Sequence, residues 1–304
     1  MSEQNESEQH LYNIIKAIAL SSAPIMFKGA LVTKLVLAEN EYNHFSRLTS
    51  DIDANWTHGK PNPQAIADSI TDAMHNANLQ YHAIVVRPYK EHTSAGLLII
   101  DDNTSIRITK MDIDVTPLSD YSKYHYGQAT FYGASPDQIL ADKISSISSD
   151  RIFRRAKDLL DLYALSECIT TVSGRVFDIV NKSNRTIGTF SAYQNQQNEL
   201  AHAYNAMKGI VNQPNFEDVY SGTHTFLTPF IENDRYAIWL PKEKIWDDIK
   251  EHQREVSQLY GPMYGELLLD HENHDDEKEL VEFTDPIIDE DIDEDELGDD
   301  DYCL

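Results

Sequence analysis

Hydrophobic spacing predicts alternating helices and strands in the first part of the chain. Apolar residues at helical intervals mark helices over residues 9–22 and 30–37. Between them, the apolar run Ile25–Phe27 is typical of a short strand, and it stops at Lys28-Gly29. A strand, a glycine turn and a helix in this order let the N–H groups of the helix face an anion.

Extended segments and one further helix follow. The stretch with Asp51 and Asp53 is predicted to be a strand, and Asn62-Pro63 offers an N-cap and a first-turn proline for a helix through about Asn78. The turn composition of Asp101-Asp102-Asn103 predicts a hairpin. Three more strands are predicted over the runs His82–Arg87, Gly96–Ile100 and Ser105–Val115.

From Ser135-Pro136 onward the pattern becomes helical, because Ser135 suits an N-cap and an apolar stripe at helical spacing follows it. Further helices are predicted from Arg151 to about Glu167, over 191–211 and over 216–231, before a mixed segment in which Trp239 and Trp246 should pack. The sequence thus predicts an α+β fold. It divides into an α/β domain with a mixed sheet (1–134), a helical domain (135–265) and a disordered acidic tail (266–304).

Negative charge is concentrated at the end of the chain. The net charge is −26, and residues 266–304 carry 19 Asp or Glu against the single Lys278, which leaves −8 for the rest. Such a segment cannot bury its charge and should stay solvated, as a solubilising tail, as an internal competitor for a basic surface or as a binding segment for a basic partner. So acidic a chain is a poor general nucleic-acid binder, but its milder folded part has room for a local basic groove.

Composition also bears on compartment and chemistry. No apolar run reaches membrane-spanning length, the polar amino terminus lacks a signal-peptide core, and Cys168 and Cys303 do not make a disulfide framework. We therefore expect a cytoplasmic protein with no membrane partner. The sequence contains no P-loop, H-E-x-x-H helix or G-x-S-x-G elbow, so the corresponding NTPase, metalloprotease and hydrolase classes lack support.

The strongest candidate for chemistry is the pair Asp51 and Asp53, two residues apart on a predicted strand. Side chains alternate along a strand, so both carboxylates point to one face, whereas a helix would separate them. Two anionic side chains on one face suit a divalent cation.

A second pair with the same spacing, Asp112 and Asp114, lies on another predicted strand. A carboxylate in an otherwise apolar strand is costly unless a charged group meets it. We expect Asp114, or Asp112, to join Asp51 and Asp53 as a third carboxylate around Mg²⁺ or Mn²⁺. Magnesium prefers oxygen ligands and shares its shell with substrate phosphates, and two ions about 3.5–4 Å apart can activate an attacking oxygen and stabilise a leaving one.

Three further features have two interpretations each. Gly29 would let backbone N–H groups approach a triphosphate, although a lone glycine turn is common. Arg151, Arg154 and Arg155 would form a basic helix face that either holds an RNA backbone or pyrophosphate or is merely solvated. The aromatic residues between 121 and 132 would either stack on a base or pack between domains.

Several segments, in this order, resemble the AbiEii/AbiGii toxin family, whose members are nucleotidyltransferase-like proteins of the DNA polymerase β superfamily. The resemblance covers roughly residues 9–231 and rests on the segments Phe27–Leu31, Arg47–Asp53, Ile139–Ile144, Lys157–Leu162 and Asn215–Phe230. Members of this family are toxins of bacterial toxin–antitoxin and phage abortive-infection systems.

The resemblance implies transfer of NMP from an NTP to an acceptor, with RNA such as a tRNA 3′ end as the first choice and a protein as the alternative, and it implies a cognate antitoxin. It also implies that Lys143 reaches the nucleotide phosphates, that Asp158 helps to order the site, and that Gly29, Ala30 and Arg47 belong to the nucleotide-binding region. From the residues alone, Lys143 could equally be a surface lysine and Asp158 half of a surface ion pair.

Two positions depart from the family pattern. The family usually has Ser or Thr after the glycine, where this chain has Ala30, and Lys157 replaces the usual arginine, so that a bidentate fork becomes a point charge. The chain is thus predicted to be a nucleotidyltransferase toxin. The alternatives are a protein that binds nucleotide or a partner without turnover on a degenerate nucleotidyltransferase scaffold, and a housekeeping nucleotidyltransferase.

Overall fold

A large mixed β-sheet with helices on one face makes up the amino-terminal half of the protein. The computed structural model describes residues 3–88, 94–116, 118–126 and 129–260. Within these ranges the helices are α1 (Glu3–Ala19), α2 (Gly29–Glu39), α3 (Pro63–Asn76), α4 (Pro136–Ile147), α5 (Ala156–Ser166), α6 (Ser173–Lys182), α7 (Ser191–Asn195), α8 (Gln197–Asn205), α9 (Phe216–Glu232) and α10 (Ile249–Tyr260). The strands are β1 (Ile25–Lys28), β2 (Ser46–Arg47), β3 (Asp51–Trp56), β4 (Tyr81–Arg87), β5 (Ser94–Asp101), β6 (Arg107–Asp114), β7 (Tyr121–Tyr126), β8 (Ala129–Ala134), β9 (Thr171–Val172), β10 (Ile210–Val211), β11 (Ala237–Leu240) and β12 (Ile245–Asp248).

Seven strands form the large sheet, in the order β4-β5-β6-β3-β1-β8-β7. The pairs β3–β6 and β1–β8 are parallel, and the other neighbours are antiparallel. The central strand β3 therefore lies between β1 and β6. In this register Asp53 lies opposite both Lys28 of β1 and Asp112 of β6, so three charged residues meet at the middle of the sheet.

Alternation along β3 and β6 separates an apolar face of the sheet from a polar face. Ile52 and Ala54 of β3 are buried, as are Met111 and Ile113 of β6, and α1, α2 and α3 pack on this side. Full burial of a large aliphatic side chain contributes about 1.5–3 kcal/mol. The apolar positions thus fix the strands, and the carboxylates at the alternate positions are held on the opposite face.

Side-chain caps fix where two helices begin. The Asn62 side chain accepts a hydrogen bond from the backbone N–H of Gln64 at 2.9 Å, and the Ser135 hydroxyl accepts one from the N–H of Gln138 at 3.0 Å. Both helices carry a proline in the first turn. The predicted starts of α3 and α4 are therefore confirmed.

The helix predicted to begin at Arg151 begins instead at Ala156. Before it, Ile152–Arg154 forms a 3₁₀ turn between the non-helical residues Arg151 (φ −96°, ψ 55°) and Arg155 (φ −106°, ψ 9°). The apolar first residue of this turn is buried, which draws the chain inward and breaks the helical path. The predicted basic helix face is therefore wrong, because its three arginines do not lie on one helix.

The helix predicted over 191–211 is also interrupted. Two short helices, α7 and α8, occupy its first part and are separated at Gln196 (φ −117°, ψ 43°). After α8, Gly209 adopts a left-handed φ of +73° and leads into β10, which pairs antiparallel with β2. Pairing with a distant strand thus overrides the local helical pattern.

The aromatic segment between residues 121 and 132 forms the hairpin β7–β8 at one edge of the large sheet, an element that the periodicity did not predict. Tyr124 and Phe131 lie opposite each other in this hairpin and are buried. The Tyr124 hydroxyl donates to the carbonyl of Ala134 at 2.7 Å. For these two rings the base-stacking interpretation is wrong, because they pack inside the fold.

The chain after Ala134 is mostly helical and also contains a small sheet in the order β12-β11-β9. The rings of Trp239 and Trp246 pack as predicted, with centroids 5.3 Å apart, and both contact Phe226. The domain limits stay predictions, and the acidic segment 266–304 lies outside the described residues. In the part of the chain that the structure describes, no helix is both long and apolar enough to span a membrane.

Candidate active site

Two parallel neighbouring strands bring the predicted acidic pairs together on the polar face of the large sheet. Asp51 and Asp53 lie on β3, and Asp112 and Asp114 lie on β6. Asp53 is directly opposite Asp112, and Asp114 is two positions further along, opposite Asn55. The expected adjacency of the two acidic pairs is therefore present in the fold.

Asp53 is pressed against Gly29, the first residue of α2. A Cβ atom at Gly29 would lie 2.2 Å from Oδ2 of Asp53, and the φ of this residue is +72°, so both space and backbone require glycine. Burial, reinforced by the negative charge of Asp51, raises the pKa of Asp53 from 3.8 to about 6, although Lys28 opposes the shift. The approach of a further cation would stabilise the ionised form of this carboxylate.

A cavity of about 190 Å³ lies beside Asp53, where the large sheet meets the later helices. Within the described residues, the N-cap residue Lys28 makes no side-chain hydrogen bond to the first turn of α2, so the first N–H groups of this helix can face an anion. The walls combine cationic and anionic side chains, and they are formed by Lys28, Gly29, Asp53, Ala134, Ile139, Asp142, Lys143, Ser146, Asp158 and Arg185. Ammonium, guanidinium and backbone N–H donors around one small cavity suit a chain of phosphates.

A buried carboxylate, Asp161 of α5, holds two of the predicted site residues. The Lys143 ammonium donates to Oδ2 of Asp161 at 2.6 Å, and Arg47 donates to the same carboxylate from Nε at 3.2 Å and from Nη2 at 2.7 Å. Lys143 is 8% exposed and Asp161 is 4% exposed, so the surface-lysine interpretation is wrong. Burial opposes both charges, yet Lys143 and Arg47 lower the pKa of Asp161, and Asp161 raises the pKa of Lys143.

Asp158 lies one turn before Asp161 on α5 and lines the same cavity as Lys143. One of its oxygens is 3.5 Å from Nζ of Lys143, and the other is 3.5 Å from Nη1 of Arg155. Asp158 therefore combines the two predicted environments, since it forms part of the cavity wall and also an ion pair with Arg155, the residue that precedes its helix.

Ala30 and Arg47 lie in a different wall. Both line a second cavity of about 180 Å³, which is bordered by α2, by the segment leading into β2 and by Asp161. The Arg47 guanidinium is directed to Asp161 and not to the cavity beside Gly29. A contact between Arg47 or Ala30 and a nucleotide stays a prediction.

Comparison with known proteins identifies the family. A sequence model described as "Nucleotidyl transferase AbiEii toxin, Type IV TA system" matches residues 17–295. The chain belongs to the AbiEii family. This AbiEii protein is therefore a nucleotidyltransferase and the toxin of a type IV toxin–antitoxin system, which implies an NTP substrate and a cognate antitoxin. The family predicted from the motifs is confirmed.

A solved structure is also similar to the AbiEii chain. It is MenT4, a nucleotidyltransferase toxin from Mycobacterium tuberculosis H37Rv, with 13% sequence identity and a TM-score of 0.46. The similarity covers 88% of this chain and 99% of MenT4. Among curated proteins, none matches the chain significantly.

In this AbiEii protein, basic side chains form ion pairs with both residues of the second acidic pair. Asp112 accepts from Nη2 of Arg87 at 2.6 Å and from the Lys110 ammonium, and Asp114 lies 3.4 Å from Nζ of Lys28. Among the described residues, no group of three or more His, Cys, Asp or Glu side chains converges to hold a metal ion. The third metal ligand, Asp114 or Asp112, therefore stays a prediction.

The first acidic pair nevertheless fits a divalent ion that is shared with the nucleotide. Asp51 and Asp53 offer oxygen ligands only, and the raised pKa of Asp53 marks a negative charge that the ammonium of Lys28 does not fully compensate. Mg²⁺ is usually bound through one or two carboxylates, with waters and substrate phosphates completing its shell. The residues present therefore suit an ion that arrives with an NTP, and not a cage made entirely by the protein.

Four residues that shape this site received no role from the sequence, namely Lys28, Asp142, Asp161 and Arg185, although the first three lie within segments that carry the family resemblance. Asp161 carried a signal, because it interrupts the leucine-rich run of α5 with a charge that burial would penalise. Arg185 follows α6 and binds Asp142 at 2.7 Å. Its position depends on how α6 packs against α4, and no motif in the sequence marks it.

Proposed function

We propose that this AbiEii toxin transfers a nucleoside monophosphate from an NTP to a hydroxyl group of an RNA acceptor, such as the 3′ end of a tRNA, and that it uses Mg²⁺ or Mn²⁺. The observation that carries the proposal is the partly buried carboxylate of Asp53, which shares a small cavity with Lys28 and Lys143. A carboxylate with a pKa of about 6 beside ammonium groups is typical of functional sites.

The triphosphate would be held by charge and by backbone donors. Lys28 of β1, Lys143 of α4 and Arg185 of the loop after α6 bring positive charge to the cavity, and the amino terminus of α2, which Lys28 does not cap with its side chain, adds N–H donors. Asp161 already holds Lys143 in place, so its ammonium needs little reordering when a phosphate arrives.

Asp51 and Asp53 are the residues that would hold the divalent ion. Their side chains share one face of β3, and phosphate oxygens of the NTP would supply further ligands. When bound, the ion would neutralise charge on the α-phosphate and on the leaving pyrophosphate. Asp53 must be ionised for this role, which ties activity to its raised pKa.

The remaining chemistry is alignment and charge stabilisation. The acceptor hydroxyl oxygen forms a bond with the α-phosphorus, the bond from that phosphorus to the bridging oxygen breaks, and pyrophosphate leaves with the electron pair. The hydroxyl proton passes to water near Asp51, which is exposed at the rim of the site. Lys143 and Arg185 stabilise the negative charge on the departing pyrophosphate.

Incubation of the protein with labelled NTPs, Mg²⁺ and total RNA tests the proposal. Combined Asp51→Asn and Asp53→Asn substitutions should abolish label transfer and growth inhibition while preserving the circular dichroism spectrum. Asp68→Asn removes an exposed carboxylate of α3 and is the matched control. Persistent transfer by the double variant would refute the assignment, and label on protein but not on RNA would refute the RNA acceptor.

A second candidate function is nucleotide binding without turnover. It is favoured by Ala30, which leaves no hydroxyl beside Gly29, and by the ion pairs that hold Asp112 and Asp114. Such a protein would bind NTP in the same cavity. Tight NTP binding with no label transfer to any acceptor would favour this function over the first.

A further inference from the structure

We propose that the segment from Arg151 to Lys157, here called the basic turn, binds the single-stranded end of the nucleic-acid acceptor. The inference rests on the proposed function, because it assigns a docking surface to the acceptor of that reaction. It uses residues that no step of the transfer requires. Three features of the basic turn support this role: its positive charge, an exposed aromatic ring within it, and its position next to the reaction cavity.

The basic turn concentrates positive charge. The basic turn carries Arg151, Arg154, Arg155 and Lys157 within seven residues, although the chain as a whole has a net charge of −26. Arg151, Arg154 and Lys157 are exposed, and among the described residues none of these three makes an ion pair. Unpaired cations on an acidic protein are an electrostatic site for a polyanion, and phosphate neutralisation drives nucleic-acid binding.

An exposed aromatic ring lies among these cations. Phe153 is 53% exposed, and the guanidinium carbon of Arg154 lies 5.5 Å from its ring centroid. The ring borders a shallow groove of about 500 Å³, whose other walls are Asn198, Glu199, His202 and Ala203 of α8. Aromatic rings beside cations bind single-stranded nucleic acid, because bases stack on the ring while phosphates meet the cations.

The basic turn also lies next to the wall of the reaction cavity. Arg155 directly precedes α5, and one turn later Asp158 of the same helix lines the cavity that contains Lys143. The side chains of Arg155 and Asp158 are 3.5 Å apart, so the basic turn continues into the wall of the reaction cavity. In addition, Nε of Arg155 is buried and, within the described ranges, has no hydrogen-bond partner. A strand that stacks on Phe153 can therefore direct its end toward the site of transfer.

A nucleic acid explains these features better than an acidic protein does. Carboxylates would meet the cations equally well, but they offer nothing to stack on the ring of Phe153. The stacking surface and the groove beside it are suited to a flat base. The two occupants therefore differ in how strongly binding depends on the ring.

Fluorescence anisotropy with a short labelled single-stranded RNA tests the proposal on the full chain. Phe153→Ala should weaken binding by at least about fivefold, the loss expected for one stacked base. Arg154→Gln should lower the slope of log affinity against log salt by about 0.7, the value for one phosphate contact on a single strand. Polyglutamate of equal charge should compete only weakly.

Two matched controls come from the same chain. Tyr236 is 64% exposed and has Nζ of Lys250 5.7 Å from its ring centroid, so Tyr236→Ala removes an exposed ring beside a cation at another place. Arg107→Gln removes an exposed arginine from the start of β6. Neither control should change the affinity by more than about twofold.

Unchanged RNA affinity in Phe153→Ala and Arg154→Gln would overturn the proposal, as would polyglutamate that competes as strongly as RNA. Label transfer separates this outcome from failure of the proposed function. Transfer to RNA with an unaltered acceptor KM in Phe153→Ala would refute the docking surface alone. Ring-dependent RNA binding without any transfer would support the docking surface while refuting the transferase proposal.

Discussion

Replacing Asp53 by asparagine should stabilise the AbiEii toxin while it abolishes activity. The carboxylate is partly buried against Gly29 and repelled by Asp51, and desolvation and this repulsion raise its pKa to about 6. Asparagine has nearly the same shape and no charge, so the variant removes the cost of an ionised group in this environment. A residue that the proposed reaction needs would thus be a residue that destabilises the free protein.

The size of this gain in stability follows from the pKa of Asp53 in the unfolded chain and in the folded protein. In the unfolded chain the pKa is the ordinary 3.8, and in the folded protein it is about 6, a rise of about two units, or about 3 kcal/mol. Because the folded state holds the proton more tightly, its extra stability is fully present below pH 4 and is lost as the pH rises through 6. The free energy of unfolding of Asp53→Asn should therefore exceed that of the wild type by about 3 kcal/mol at pH 8 and by about half of that at pH 5.

Urea denaturation of the nucleotide-free protein at several pH values measures this difference. Asp68→Asn is the control for loss of an exposed carboxylate and should follow the wild type at each pH. Asp51→Asn is a second test, because removal of the neighbouring charge should lower the pKa of Asp53 and move the loss of stability to lower pH. Parallel stability profiles of wild type and Asp53→Asn would refute the assigned pKa.

Three other perturbations follow from the same site. Lys143→Met removes one of the two partners of buried Asp161 and should lower the free energy of unfolding by about 3 kcal/mol; an unchanged urea midpoint would contradict the network. Gly29→Ala would place a methyl group 2.2 Å from Oδ2 of Asp53 and add about 1–2 kcal/mol of backbone strain, so label transfer should disappear and the free energy of unfolding should fall. Normal label transfer would contradict the contact between Gly29 and Asp53. Deletion of residues 266–304, which removes a charge of −18, should raise the affinity for single-stranded RNA at low salt and not at high salt. Equal affinities of the deletion variant and the full chain at low salt would exclude the segment as a competitor for RNA.

Local signals in the sequence were sufficient to predict many of the strands and helix starts that carry the site. Alternation on β3 and β6 located Asp51, Asp53, Asp112 and Asp114, because a charge at every second position of an otherwise apolar strand constrains both face and depth. Side-chain caps with an adjacent proline located the starts of α3 and α4, since that chemistry acts within four residues.

Features that depend on distant contacts could not be predicted in this way. Lys28 faces Asp53 only because β1 and β3 pair in one particular register, and sequence spacing does not specify that register. Arg47 and Lys143 meet at Asp161 although they are far apart along the chain. The 3₁₀ turn at Ile152–Arg154 and the β2–β10 pair likewise arise from packing that overrides local helical preference.

The ion pair between Arg47 and Asp161 has a mechanical consequence. It joins the short strand β2 to helix α5, and the neighbouring pair β2–β10 spans the same gap. Swinging the sheet away from the later helices would strip a buried carboxylate of one partner, at a cost of about 3–5 kcal/mol. We therefore expect the large sheet and the later helices to keep the same relative position when an NTP enters the cavity. The shape of the preformed cavity would select the NTP, without a hinge motion that closes the site after binding.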